Sequence, residues 1–179
     1  RDGKLVRVRG GVRLAADAAG AVHLTPARRF DSRVAVNQEK KRRIAERASS
    51  LIHEGETVFV DGGTTTYAMV EFLARFSVHV ITNSIAIANH LIQHSSCTVT
   101  VPEGTIDPES LLILTSLAAD PFANYTAAKA IMGTAGISTT VITNEEKLLI
   151  QAERAMIAHA RELIIVADES KFGHAGHLT

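Results

Sequence analysis

One cysteine in 179 residues leaves no partner for an internal disulfide, and Cys97, at the edge of the run Thr98-Val99-Thr100-Val101, reads as a small buried or half-buried side chain. A basic excess is missing as well: Lys plus Arg number 19 and Asp plus Glu number 19, so the formal net charge is zero. A chain balanced in this way does not grip the phosphate backbone of DNA by its overall field. Long apolar runs are absent, since stretches such as residues 163–167 fall far short of a membrane span, and no charged-then-apolar leader opens the sequence. The expectation is a soluble, cytoplasmic protein with no membrane partner.

Missing motifs narrow the chemistry further. No Gly-Lys-Ser/Thr closes a P-loop and no G-x-G-x-x-G marks a dinucleotide fold, which disfavours nucleotides. His90 and His94 lie four apart on an expected helix, but the glutamate of H-E-x-x-H and a third ligand are lacking, so no metal is expected. There is no G-x-S-x-G elbow for a serine nucleophile. No cofactor is implied.

What is present is a globular core. The chain is 46% hydrophobic and 21% charged, which excludes a disordered protein, and its length suits one domain. Helical spacing runs over residues 37–53 through Ile44, Ala45, Ala48, Leu51 and Ile52, with Gly55 as the stop. The β-branched run 57–60 then reads as a strand buried on both faces. The alternation continues with helix 67–75, strand 78–81, helix 84–93, strand 98–101, strand 129–132, helix 145–160 and strand 163–166. Residues 109–123 remain unassigned, and the stretch up to Ser32 reads as irregular. Alternating helices and strands imply an α/β fold, a mostly parallel, Rossmann-like sheet with helices on both faces.

Nearly every strand is followed at once by a small, polar turn, and in open parallel sheets that edge is where ligands bind. The turns are Asp61-Gly62-Gly63-Thr64-Thr65-Thr66, Thr82-Asn83-Ser84, Pro102-Glu103-Gly104-Thr105, Gly133-Thr134-Ala135-Gly136-Ile137-Ser138 and Asp168-Glu169-Ser170-Lys171. Two glycines and three threonines before a helix suit a phosphate, because a helix start offers unpaired N–H groups and a partial positive charge. The same residues also suit a tight turn with a threonine cap, and Thr82-Asn83-Ser84 equally suits a helix cap. Lys171 reads either as a counter-charge for an anion or as a solvated lysine. The charge run Glu39-Lys40-Lys41-Arg42-Arg43 reads as the wet side of a helix.

The ordered set Arg33, Lys40, Ile44-Ala45, Val60 to Thr66, Ile81 to Ser84, Gly104-Thr105, Lys129-Ala130, Gly133-x-x-Gly136-Ile137 and Ala167 to Gly173 resembles the C-terminal sensor domain of DeoR-type transcription regulators. The resemblance covers about residues 30–173. It implies a fold like that of ribose-5-phosphate isomerase, a phosphorylated sugar as effector, and a homo-oligomer, dimer or tetramer. It also implies a sugar-metabolism repressor that holds operator DNA through a helix-turn-helix domain. Residues 1–14 then resemble the last strand and linker of that domain, with its recognition helix upstream of a fragment, and residues 15–179 the sensor. Departures from the family pattern are Glu103-Gly104 where paired glycines are usual, Ser138 where an aspartate is usual, Ile131 in place of an aromatic, and no glycine near Thr115. A carboxylate at Glu103 leaves open a different sugar phosphate, a neutral or amino sugar, or no effector.

The expected effector site is therefore Asp61, Gly62, Gly63, Thr64, Thr65, Thr66, Thr82, Asn83, Ser84, Glu103, Gly104, Gly136, Ser138 and Lys171. The backbone from Gly62 to Thr66 holds the anionic end, and Asn83, Glu103 and Lys171 read the rest. The rival reading is a phosphosugar isomerase. Such isomerases place acids in the loop after the strand matching residues 129–132, and here that loop carries none, so no catalytic residues and no enzyme activity are expected.

Overall fold

The computed structural model describes residues 5–8, 11–14, 30–116, 120–144 and 147–173. Strands β1 (Leu5–Val8) and β2 (Gly11–Leu14) form an antiparallel pair where a single strand is expected from sequence. The expected boundary between residues 14 and 15 adjoins residues 15–29, which lie outside the described residues, as do Glu145 and Glu146 at the start of the expected helix 145–160.

From Phe30 the chain builds helix α1 (Phe30–Ala35), helix α2 (Gln38–Ser49), strand β3 (Thr57–Val60), the short helices α3 (Thr64–Tyr67) and α4 (Val70–Leu73), strand β4 (His79–Ile81), helix α5 (Ile85–His94) and strand β5 (Thr98–Thr100). The hairpin β6 (Thr105–Asp107) and β7 (Leu112–Leu114) follows, then β8 (Ala127–Met132), the small pair β9 (Gly136–Ile137) and β10 (Ile142–Thr143), helix α6 (Lys147–Ala158), strand β11 (Ala160–Ile165) and a 3-10 turn, Glu169–Lys171. Five strands in the order β11-β8-β3-β4-β5 make one sheet, and every pairing in it is parallel.

The two-residue period of a strand sends alternate side chains to opposite faces, and the core divides accordingly. Val58, Val60, Val80 and Ile131 pack with α2, α4 and α5 through Ala45, Ala48, Leu73, Ile87 and Leu91. Phe59, Ile81, Ala130 and Met132 face the other way, onto Ala152, Ala155 and Met156 of α6. Helices thus cover both faces, as the alternation of periods predicts.

Three differences have physical causes. The expected helix 67–75 starts earlier and is broken, because α3 opens directly at Thr64 and α4 resumes at Val70. The unassigned stretch contains β7, whose partner β6 begins at Thr105, the last residue of a segment read as a polar turn; an isolated two-stranded hairpin has too few apolar alternations to show in sequence. The last strand is displaced to Ala160–Ile165, since Ala160 and Glu162 pair with β8 at an outer edge of the sheet where polar residues are tolerated.

Candidate functional site

Because the five strands run parallel, the turns that follow them lie at one edge of the sheet. Side-chain and backbone bonds tie several of them together. Gly62 donates its backbone N–H to Asn83 Oδ1 at 2.8 Å, and Asn83 Nδ2 donates to Asp61 Oδ1 at 3.3 Å. Asp61 is 2% exposed. Burial pushes its carboxyl well above the usual value, reinforced by the nearby Glu153 carboxyl of α6, while N–H groups of Gly62, Asn83 and Gly133 work in the opposite direction. Burial also raises Glu153, against a hydrogen bond from Asn144 Nδ2. Two carboxyls that both resist ionisation share this spot beneath the loops.

Thr82, Asn83 and Ser84 are all buried. Thr82 Oγ1 accepts the Ser84 N–H at 3.1 Å, and Ser84 Oγ caps α5 by accepting the Ile87 N–H at 3.3 Å. Helix capping, one of the two roles open to this triplet from sequence, therefore accounts for Ser84, while the Asn83 side chain links the first loop through Gly62 and Asp61. At α3, Gly63 occupies the cap position with no side-chain hydrogen bond, and Thr66 Oγ1 turns back to donate to the Gly63 carbonyl at 3.0 Å. Thr64 and Thr65 are half-buried.

Beyond β8, Gly136 is buried in the β9–β10 pair, its carbonyl accepting from the hydroxyls of Thr134 and Thr143. Ser138 closes the turn between those strands, Oγ accepting the N–H of Val141 at 3.1 Å. The segment after β11 reaches this turn: Ile137 bridges Phe172, and the Gly173 N–H donates to the Ile137 carbonyl at 2.9 Å. Asp168 accepts from Asn37 Nδ2 at 3.1 Å and from the Ser170 N–H at 2.9 Å, docking the loop on the start of α2.

Lys41, in sequence only a member of a solvated charge run, is 7% exposed, and its ammonium donates to the Arg33 carbonyl. Burial lowers its pKa; Asp168 opposes that, and the cations Lys171 and Arg33 add to it. Lys41 thus lies within electrostatic reach of Arg33, Lys171 and an Asp168 carboxylate whose oxygens are already hydrogen-bonded. Lys40, the lysine named from sequence, is exposed and pairs with Glu169. The signal that distinguishes the two is helical spacing, because Lys41 lies four and seven residues before the buried Ala45 and Ala48.

Glu103 and Gly104 stand apart, exposed in the turn from β5 into β6. Gly104 sits at φ +155°, and a Cβ there would come within 2.4 Å of the Leu114 carbonyl oxygen. The residue that does reach the first loop is Leu112, which carries no signal in sequence: a Cβ added to Gly62 would lie 1.9 Å from Leu112 Cδ2. Two cavities flank β11. A groove of about 500 Å³ runs between α2 and β11 and ends at Asp168 and Glu169, and one of about 160 Å³ is lined by Gly133, Asn144, Glu153 and apolar residues of α6 and β11.

Among known families, the one described as the DeoR C terminal sensor domain matches residues 36–179. The HTH-type transcriptional repressor GlcR of Bacillus subtilis is 31% identical over 169 residues, 94% of this chain and 63% of its own length. The glycerol-3-phosphate regulon repressor of Escherichia coli is 28% identical over 146 residues, 80% of this chain and 58% of its own. The chain thus spans less than two thirds of these relatives. In three dimensions, ribose 5-phosphate isomerase A from Methanocaldococcus jannaschii overlays 76% of this chain and 55% of its own with a TM-score of 0.56 at 17% identity. Chaetomium thermophilum eIF2B delta does so over 80% and 51%, with a TM-score of 0.54 at 17% identity.

Proposed function

The chain belongs to the DeoR C-terminal sensor domain family, and from that premise we propose that it is the effector-binding part of a transcription regulator, taking a phosphorylated sugar at the carboxyl edge of its sheet. The observation that carries this reading is the buried Lys41 with Lys171 close by, beside an Asp168 carboxylate already engaged by Asn37 and Ser170, because positive charge in a partly dry site favours an anion. The half-buried Thr64 and Thr65, at the uncapped start of α3, supply hydroxyls and backbone donors beside α1 and α2, on which α3 packs. In the whole protein, effector binding alters how sensor domains pack in a homo-oligomer and so whether helix-turn-helix domains fit their operator half-sites. Names of the relatives support repression, and the glycerol-3-phosphate regulon repressor supports a small phosphorylated polyol or sugar.

The sensor is favoured over an isomerase by the state of its carboxylates. Asp61 lies buried behind Gly62 and holds hydrogen bonds to the loops, Asp168 is engaged by Asn37 and Ser170, and residues 133–138 include no acid. A general base needs hydrogen-bond reach to a substrate proton, which none of these offers.

A thermal-shift panel of sugar phosphates tests the reading. At a concentration about 100 times Kd the stabilisation is about 2.7 kcal/mol, or roughly 5–10 °C for a domain of this size. Thr65→Ala and Lys171→Ala should each weaken binding about tenfold while leaving the unliganded melting point within roughly 2 °C. Unchanged affinity in both variants would reject the site, and conversion of the bound sugar into its isomer would favour the enzyme.

A further inference from the structure

Segment 107–114 crosses the first loop of the site and, through β7, packs against α5 and α6. The Ile85 N–H donates to the Leu111 carbonyl at 2.9 Å, the Ile113 N–H donates to the Asn83 carbonyl at 2.7 Å, and Ser84 bridges Leu112. At the turn, the Glu109 carbonyl accepts the Phe30 N–H at 2.9 Å. Leu112 is 6% exposed yet belongs to neither of the two apolar clusters packed on the sheet; its side chain rests against the backbone of Gly62. It is buried against a glycine loop, outside both of those clusters.

Two features weaken this closed arrangement. Leu111 has φ +58°, a left-handed conformation that a branched, bulky side chain adopts only under constraint. At the far end of β7, Thr115 Oγ1 is buried with no hydrogen-bond partner. Strain at one end and an unsatisfied hydroxyl at the other mark a segment closed against a cost, while Gly104 supplies a pivot where the hairpin begins.

We propose that the β6–β7 hairpin is a displaceable strap, that Leu112 occupies space the effector must share, and that this side chain sets the size of effector admitted. The proposal rests on the effector-site reading above. A ligand that binds only the open form sees an apparent Kd equal to its intrinsic Kd divided by the fraction of molecules that are open. Opening withdraws Leu112 from Gly62 and breaks the bond to Asn83, the residue that also fixes the Gly62 N–H, so strap and loop move as a coupled pair.

The test uses the intact chain and two variants with opposite expected effects. Leu112→Ala removes the plug and should tighten binding of the sugar phosphate selected by the panel about fivefold or more; Leu111→Gly relieves the positive φ, stabilises closure and should weaken it about threefold or more. Amide hydrogen exchange without ligand supplies a readout independent of any effector. Peptides covering 105–114 should exchange at least about tenfold faster than those covering 57–60, and faster still in Leu112→Ala. Equal protection of the two regions, or a shift of affinity in the same direction in both variants, would overturn the strap. If no sugar phosphate binds any of the three proteins, the sensor reading fails and the exchange rates alone decide the strap. Should Leu112→Ala fail to fold, Leu111→Gly and the wild-type exchange pattern still decide between a strap and a fixed hairpin.

Discussion

At the scale of single residues, the buried carboxyls of Asp61 and Glu153 carry a consequence for stability. Both are raised by burial above their ordinary values of 3.8 and 4.5, and the Glu153 carboxyl adds to the rise at Asp61. A carboxyl raised on folding binds its proton more tightly in the native chain. Its contribution is therefore full at low pH and is lost as pH climbs from those ordinary values through the raised ones. The urea midpoint should fall as pH climbs above the ordinary carboxyl values of 3.8 and 4.5, and Asp61→Asn, which keeps shape and hydrogen bonding without a charge, should flatten that fall. An equally steep decline in the variant would place the titration elsewhere. Legibility at this scale is uneven for reasons the residues make plain. The polar turns are visible in sequence because Gly, Thr, Asn and Ser have few uses in a core. Whether such a residue faces a ligand or caps its own helix depends on where its oxygen points, and Ser84 points at Ile87. Lys40 and Lys41 differ by one position and about 100° of helix, and only the latter turns inward. Leu112 gives no signal at all, since an apolar residue that plugs a polar loop looks like any core leucine.

At the scale of elements, the Glu56–Lys129 pair joins the start of β3 to the middle of β8. Lys129 Nζ lies 2.7 and 2.8 Å from the two carboxylate oxygens of Glu56, with side chains 9% and 19% exposed. Burial works against the Glu56 charge, and the Lys129 ammonium with the His53 N–H overcomes it, holding the carboxyl below its usual 4.5. The pair's contribution is present above that value and is lost as pH falls through the depressed one. Removing one partner strands the other charge, so Glu56→Gln should cost about 3 kcal/mol at neutral pH. Replacing both by apolar residues of similar volume, Glu56→Leu with Lys129→Met, should recover most of that loss. Chemical denaturation of the single and double variants measures both, and a double variant no better than the single would show that the pair's geometry, and not its desolvation, dominates. In sequence, Lys129 stands out only as part of a family pattern. Its partner, 73 positions earlier, is brought near by the β3–β8 pairing, which no local period reveals.

For the whole molecule, alternation of helix and strand suffices to give a parallel sheet covered on both faces, because parallel strands require crossovers and crossovers place helices. The order β11-β8-β3-β4-β5 is not readable in the same way, as it is set by which crossovers turn back past β3. That order leaves β11 at the outside, with no further strand beside it among the described residues. Ile164 and Val166 join Ile44 and Leu51 along the larger groove, while Leu163, 42% exposed, joins Ile142 and Ile157 along the smaller one. An edge strand with apolar walls on both faces is a template for strand addition, and Arg161 and Glu162 guard only its first half. The 179-residue chain on its own should therefore associate as its concentration rises. Leu163→Lys places a charge at the middle of that edge and should suppress the association seen in sedimentation velocity, with a change in stability within about 0.5 kcal/mol, as for other exposed positions. If the variant associates as strongly as the parent, contacts away from β11 drive the assembly, and the edge is protected by its own charges.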